Sequence, residues 1–251
     1  MNTNMQSTIT ITFGDVAENH VGMQQIGNPI SNGLNYDDLF NAKTLFEKNG
    51  ITCELIDLNI EESKDAYVLI IRDGVNCMLQ NKIHNDLFNE QLALDYDKKA
   101  YMYGRIVNKK ARYNLCFSDT NQEPDYNSGK GRVVAFDDVI ITKQIRDNLD
   151  KYFGDKARGL VGEGNYYYDI NQCGIGFHGD TERRIVIAIR LGASLPLHYQ
   201  WYYKGNPVGN RIVLTLNGGD IYAMSEKATG NDWKKKNIHT LRHATGCTKY
   251  L

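Results

Sequence analysis

The hydrophobic and polar positions divide the chain into a mixed opening stretch and a longer run of short strands. From Ser7 to Phe13 threonines alternate with isoleucines, a period of two that predicts a half-buried strand. Tyr36 to Lys48 carries Leu39, Ala42, Leu45 and Phe46 at helical spacing, and Asn49-Gly50 supplies the stop. The apolar runs Ile51 to Leu58 and Ala66 to Ile71 predict two more strands, closed by a turn at Asp73-Gly74. Residues 1–80 therefore read as a small β-α-β-β unit, followed by a second domain over residues 81–251. A short polar helix is expected between Leu87 and Lys99, a strand over Tyr101 to Val107, a long loop over Asp119 to Arg132 and an amphipathic helix over Lys143 to Tyr152. Beyond that point the pattern is of strands and turns. Ile185, Ile187, Ile189 and Leu191 share one face, Tyr199, Trp201 and Tyr203 share another, and Arg211 to Leu216 and Asp220 to Met224 flank the turn Asn217-Gly218-Gly219. The fold class is α+β, with a sandwich or barrel of short strands behind a small α/β unit.

Composition narrows the function classes. At 251 residues, 41% hydrophobic and 24% charged, the chain can bury a full core, which excludes disorder. No apolar run approaches the roughly 20 residues needed to cross a bilayer, and the first 20 residues lack a basic-then-apolar leader, so a cytoplasmic or other reducing location is expected. Five cysteines without a CxxC pair (Cys53, Cys77, Cys116, Cys173, Cys247) argue against a disulfide framework or a thiolate zinc site. Twenty-nine Lys and Arg stand against thirty Asp and Glu, so no global field draws the chain to nucleic acid or acidic lipid, although a local basic patch stays open.

The chemistry concentrates in Gly174-Ile175-Gly176-Phe177-His178-Gly179-Asp180-Thr181-Glu182. Residues i and i+2 on extended backbone face one side, so His178 and Asp180 can grip one metal. A later histidine, His239 or His243, would complete a two-His-one-carboxylate facial triad with coordination positions left open. His198 reads as an ordinary sheet histidine, and His20, in the polar loop after the first strand, as surface decoration. Arg183 and Arg184 suit either phosphate contact or a solvated sheet edge. Tyr199, Trp201, Tyr202 and Tyr203 read as sheet packing rather than a stacking platform. There is no phosphate loop, no dinucleotide fingerprint and no Ser-His-Asp arrangement.

The run IGFHGDTE, the following VIAIRLG, Gly219-Asp220 before a later strand and a distal histidine in Thr240-Leu241-Arg242-His243-Ala244 together resemble the AlkB-like branch of the iron(II)- and 2-oxoglutarate-dependent dioxygenases. The similarity spans roughly residues 100 to 251. It implies a double-stranded β-helix (jelly-roll) core, iron(II) held by His178, Asp180 and His243, and 2-oxoglutarate and O2 as cosubstrates. By the same resemblance Tyr168, about ten residues before the metal histidine, helps hold 2-oxoglutarate. Arg112, Phe117, Asp119 and Tyr126 match a lid that faces substrate, and Glu182 lies near the substrate pocket. The family's arginine-rich run after the distal histidine has no counterpart here, which leaves Lys249, or Arg190 on the strand after the HxD, to pair with the far carboxylate of 2-oxoglutarate. The implied reaction is hydroxylation or oxidative demethylation, with an alkylated nucleobase or nucleotide as one substrate. An amino-acid or protein side chain is the rival substrate, and a non-enzymatic β-barrel binding module the rival outside this class. No membrane partner is expected.

Overall fold

A computed structural model describes residues 6–79 and 82–251. In chain order the elements are β1 (Thr8–Gly14), β2 (Val16–Glu18), β3 (Gln25–Gly27), α1 (Tyr36–Lys48), β4 (Cys53–Asp57), β5 (Tyr67–Ile71), α2 (Gly74–Met78), α3 (His84–Leu92), β6 (Lys99–Met102), β7 (Arg105–Asn108), β8 (Tyr113–Ser118), β9 (Val133–Ala135), α4 (Ile140–Arg146), α5 (Leu149–Phe153), β10 (Val161–Tyr167), β11 (Gly174–His178), β12 (Val186–Gly192), β13 (Leu197–Tyr203), β14 (Asn206–Leu214), β15 (Ile221–Met224), α6 (Glu226–Thr229) and β16 (Thr240–Gly246). The fold is mixed α+β and sheet-rich. One large sheet runs β4-β5-β15-β12-β1-β10-β8-β9, and a small one runs β11-β16-β13-β14. Pairing is antiparallel except between β8 and β9. No helix among the described residues is long and apolar enough to cross a membrane.

The large sheet has two differently covered faces. On one, Ile9, Ile11 and Phe13 of β1 join Ile187, Ile189 and Leu191 of β12 and pack against Leu39, Ala42 and Phe46 of α1, Leu87 of α3, Ile145 of α4 and Leu149 and Phe153 of α5. The α1 helix begins at a reciprocal capping box between Asn35 and Asp38 and stops before Gly50, whose φ is 77°. On the other face, Val186, Ala188, Tyr222 and Met224 meet Leu197, Tyr199, Trp201 and Leu241 of the small sheet. The result is three layers: helices, large sheet, small sheet.

Several expectations shift once the chain is folded. The boundary expected at residue 80 runs through a continuous sheet: β1 lies between β10 and β12, and β4 and β5 extend the same sheet beyond β15. The strand expected over Tyr101 to Val107 is a tight hairpin, β6-β7, because Tyr103 and Gly104 both take positive φ, 52° and 75°. The helix expected over Lys143 to Tyr152 breaks into α4 and α5 at Asp147-Asn148. The threonine face of β1, expected to be half exposed, is closed off, with Thr8, Thr10 and Thr12 all buried. Thr10 and Thr12 line a polar cavity between the two sheets rather than facing solvent.

Candidate metal centre

The cavity between the sheets is small, about 70 Å³, and partly open to solvent. Alternation along the strands builds its polar walls. Thr10 and Thr12 come from β1, Glu163, Asn165 and Tyr167 from β10, and His178, His243 and Thr245 from the small sheet. The pairing of β11 with β16 carries one extra residue: Ile175 opposes Thr245, and His178 opposes His243. Gly176 and Phe177 on β11 thus oppose the single Ala244 on β16, a bulge that lets Ile175 and His178 both line the cavity despite their odd separation.

His178, Asp180 and His243 each bring one ligand atom to within 4.8 Å of the others. Asp180 Oδ1 lies 3.6 Å from His178 Nε2 and 3.8 Å from His243 Nε2. The peptide N–H of Asp180 donates to Thr229 O at 2.9 Å, which ties the carboxylate's loop to α6. His178 Nδ1 lies 2.8 Å from Gly176 O. A carbonyl oxygen only accepts, so Nδ1 carries a proton, and Nε2 is the ring nitrogen turned toward the carboxylate. Burial holds His243 well below the usual histidine pKa, reinforced by His178 and Arg183. Two imidazoles and a carboxylate converging in this way form a donor set that could hold a divalent metal.

A buried ionic pair stands behind the cluster. Arg183 Nη2 donates to Glu163 Oε2 at 2.5 Å, and Arg183 also donates to Glu182 Oε1 at 3.0 and 2.8 Å, with Nε 3.8 Å from Asp180 Oδ2. Burial raises the Glu163 carboxyl, but Arg183 outweighs it and the net shift is downward. Arg183 is therefore neither a phosphate contact nor a solvated edge cation. Arg184 pairs instead with Glu226.

The remaining sequence candidates are distributed unevenly. Arg112 is on the cavity wall, donating from Nε to Asn165 Oδ1 at 2.7 Å. Arg190, directly opposite Thr10 in the β12-β1 register, is 1% exposed and donates from Nη1 to Thr10 Oγ1 at 2.7 Å; its Nε has no partner among the described residues. Lys249 is exposed beyond β16 and its ammonium sits over Tyr250, outside the cavity, so it is no anchor. Tyr168 is displaced as well: alternation turns it away, to stack on Tyr113 and donate to Lys110 O, while its neighbour Tyr167 lines the cavity. The three other lid candidates serve structure. Phe117 is fully buried in the helix-side core, Tyr126 donates to Asp97 Oδ1 at 2.7 Å, and the exposed Asp119 pairs with Arg146. Glu182 is turned to Arg183 and does not line the cavity. His239 stacks on Tyr203, apart from the metal cluster, and His198 lies on the far side of the small sheet from it.

Sequence reasoning missed Thr10, Thr12, Glu163, Asn165 and Tyr167. The signal was present as alternation of Glu163, Asn165 and Tyr167, but it reads as a surface pattern until a second sheet covers it. No known protein-family profile matches the chain. It is 54% identical over 256 residues to an uncharacterized protein of Acanthamoeba polyphaga mimivirus, the match covering 99% of this chain and 99% of that protein.

Proposed function

The chain belongs to one family with that mimivirus protein over nearly its whole length, and we propose that it is an iron(II)- and 2-oxoglutarate-dependent dioxygenase. The observation that carries this reading is Arg190. It is a fully buried guanidinium with no carboxylate within salt-bridge distance among the described residues. Its hydrogen-bond partner Thr10 lines the same cavity as the His-Asp-His cluster, and its charge is felt by the cavity-lining Tyr167 and Tyr222. Arg190 stands behind the Thr10 wall of the cavity without itself lining it, and a metal-chelating dicarboxylate that reaches past Thr10 would pair its far charge with this guanidinium.

The strand arrangement supports the same reading. Counting β1 with β10 to β16 gives eight strands in two facing layers, β15-β12-β1-β10 and β11-β16-β13-β14, as in a jelly roll. In this arrangement β1 lies beside β12 and supplies Thr10 as the hydrogen-bond partner of Arg190.

Bound iron(II), with 2-oxoglutarate and O2, supplies the oxidising power for hydroxylation of a C–H bond or loss of an N-methyl group. The chain's own share is positional. His178, Asp180 and His243 would hold the metal, and Arg190 with Thr10 would pair with the far carboxylate. Arg183 and Glu163 keep the Asp180 side of the cavity rigid, and Arg112 on the wall offers a cation to the incoming substrate. The class is tested by anaerobic titration of the metal-free protein with iron(II) and then 2-oxoglutarate, following the visible charge-transfer band of the chelate. Wild type and His239→Ala should develop the band, and His178→Ala and His243→Ala should not. Its absence from wild type would end the proposal.

A further inference from the structure

The outer face of the small sheet carries a second feature that the metal cavity does not use. Every acidic residue of the chain lies outside two stretches, Arg183 to Gly219 and Trp233 to Leu251, and these stretches contain β12 to β14 and β16. With β11 equally free of acids, the four strands of the small sheet carry not one Asp or Glu. The near-neutral net charge therefore conceals a segregation. Asp232, the one acid in the loop leading to β16, is occupied by Lys227 at 2.7 Å.

On that acid-free face the side chains form a cation and ring ladder. Leu197, Tyr199 and Trp201 point inward to the core, so His198, Gln200 and Tyr202 point outward; on β16, Leu241 and His243 point inward and Arg242 outward. Arg211, on the edge strand β14, places its guanidinium 4.9 Å from the ring centre of Phe177 on the opposite edge strand, β11. The two side chains must lie across the strands between them, which accounts for the burial of His198 beneath them. Phe177 and Tyr202 have ring centres 6.2 Å apart. The Arg242 guanidinium lies 3.9 Å from Tyr202 and 5.1 Å from Trp233, and Lys234 lies 5.9 Å from Trp233. Neither arginine has a carboxylate partner among the described residues, unlike Arg72, Arg132, Arg146, Arg158, Arg183 and Arg184. Lys235, Lys236 and Lys204 are exposed at its margin.

We propose that this face is a docking surface for single-stranded nucleic acid, with the Arg211-Phe177-Tyr202-Arg242-Trp233 ladder stacking bases and Lys204 and Lys234 to Lys236 pairing with phosphates. Flat rings and guanidinium planes match unstacked bases, which a duplex does not present, and unpaired cations without a neighbouring acid match a continuous polyanion. An acidic peptide would meet the lysines but leave the aromatic planes without partners. The ladder ends against the metal turn, because a Cβ on Gly179 would meet Trp233 Cδ1 at 2.8 Å. The inference is independent of the iron and 2-oxoglutarate reading, since it rests on the opposite face of the sheet.

The test is fluorescence anisotropy of a labelled oligo-dT of about 15 nucleotides with the full chain, without added metal, at several salt concentrations. Wild type should bind, and its affinity should fall steeply with salt. Arg211→Ala and the triple variant Lys234→Ala/Lys235→Ala/Lys236→Ala should each weaken binding, with a log-log salt slope shallower by about 0.7 for every phosphate no longer neutralised. Tyr202→Leu should weaken binding about tenfold or more through loss of stacking. Lys43→Ala, on the helix side of the molecule, should change nothing. Arg211 is exposed on an edge strand, so its variant should fold as wild type, which thermal unfolding verifies. No binding at about 50 mM salt, where such electrostatic association is strong, would overturn the proposal. So would equal loss in Lys43→Ala, equal affinity for duplex, or displacement by polyglutamate as effective as by unlabelled oligonucleotide.

Discussion

Arg190 and Thr10 sit directly opposite each other on β12 and β1, joined by a 2.7 Å hydrogen bond from Nη1 to Oγ1. A guanidinium as buried as this has lost its water, and one threonine hydroxyl does not replace it. Arg190→Met should therefore leave the metal-free protein as stable as wild type or more so. In the same variant 2-oxoglutarate affinity should fall about 30-fold or more, the order of 2 kcal/mol and upward for losing one partner of a buried charge pair. Iron(II) binding should persist. Urea unfolding beside isothermal titration separates these effects, and a large loss of stability would show that Arg190 has a structural partner instead.

The pair Arg183 and Glu163 makes the opposite prediction. Both side chains are almost fully buried, and Arg183 is the cation paired with Glu163, so removing Arg183 leaves the carboxylate uncompensated, whereas Arg183 without Glu163 still pairs with Glu182. Arg183→Met should cost about 3–5 kcal/mol, measured by denaturant midpoint, and Glu163→Gln less. The double variant should cost less than the two singles together.

Gly179 joins His178 of β11 to Asp180 of the following loop, the two proposed metal ligands nearest in the chain. A Cβ there would be driven into the backbone carbonyl of Gly230, a group that cannot yield as a flexible side chain does. Gly179→Ala should displace the His178-Asp180 turn and weaken metal binding about tenfold or more, as disturbing the support of a metal ligand does, read by competition with a chromogenic chelator. Unchanged metal affinity would show that the turn relaxes without moving its ligands.

Stability should fall on the acid side of neutrality. Burial lowers the pKa of His243 strongly and those of His198 and His20 as well. A folded-state value below the unfolded one means that the unfolded chain takes up protons first. The contribution is thus complete above the ordinary histidine value of about 6.5 and is lost as pH falls below it. Glu18 and Glu182, raised by burial, act in the opposite sense, but the larger displacement at His243 sets the sign. Urea midpoints measured at about pH 8, 6.5 and 5.5, a span that brackets the histidine value, should decline in that order, and His243→Leu should flatten the profile.

Local periodicity is legible without a fold. The α1 helix, the apolar faces of β1 and β12, and the mixed α and β content follow from the spacing of side chains on one element, because burial of a stripe or a face is a local demand. The His178, Asp180 and His243 candidates were legible for a related reason: few residue types can ligate a metal, and two of the three are nearly adjacent.

Tertiary structure alone decided what the polar alternation was for. Thr10, Asn165 and Tyr167 look like solvent-facing positions in the chain, and only the second sheet turns that face into a cavity wall. The choice of Tyr167 over Tyr168 depends on which face of β10 is covered, and His178 reaches the cavity through a bulge that no period of two predicts. The placement of β1 between β10 and β12 is likewise non-local, since hydrogen bonds between strands carry no record of their distance along the chain. The residues that can do chemistry are written in their types, whereas which of them meet depends on sheet order and register.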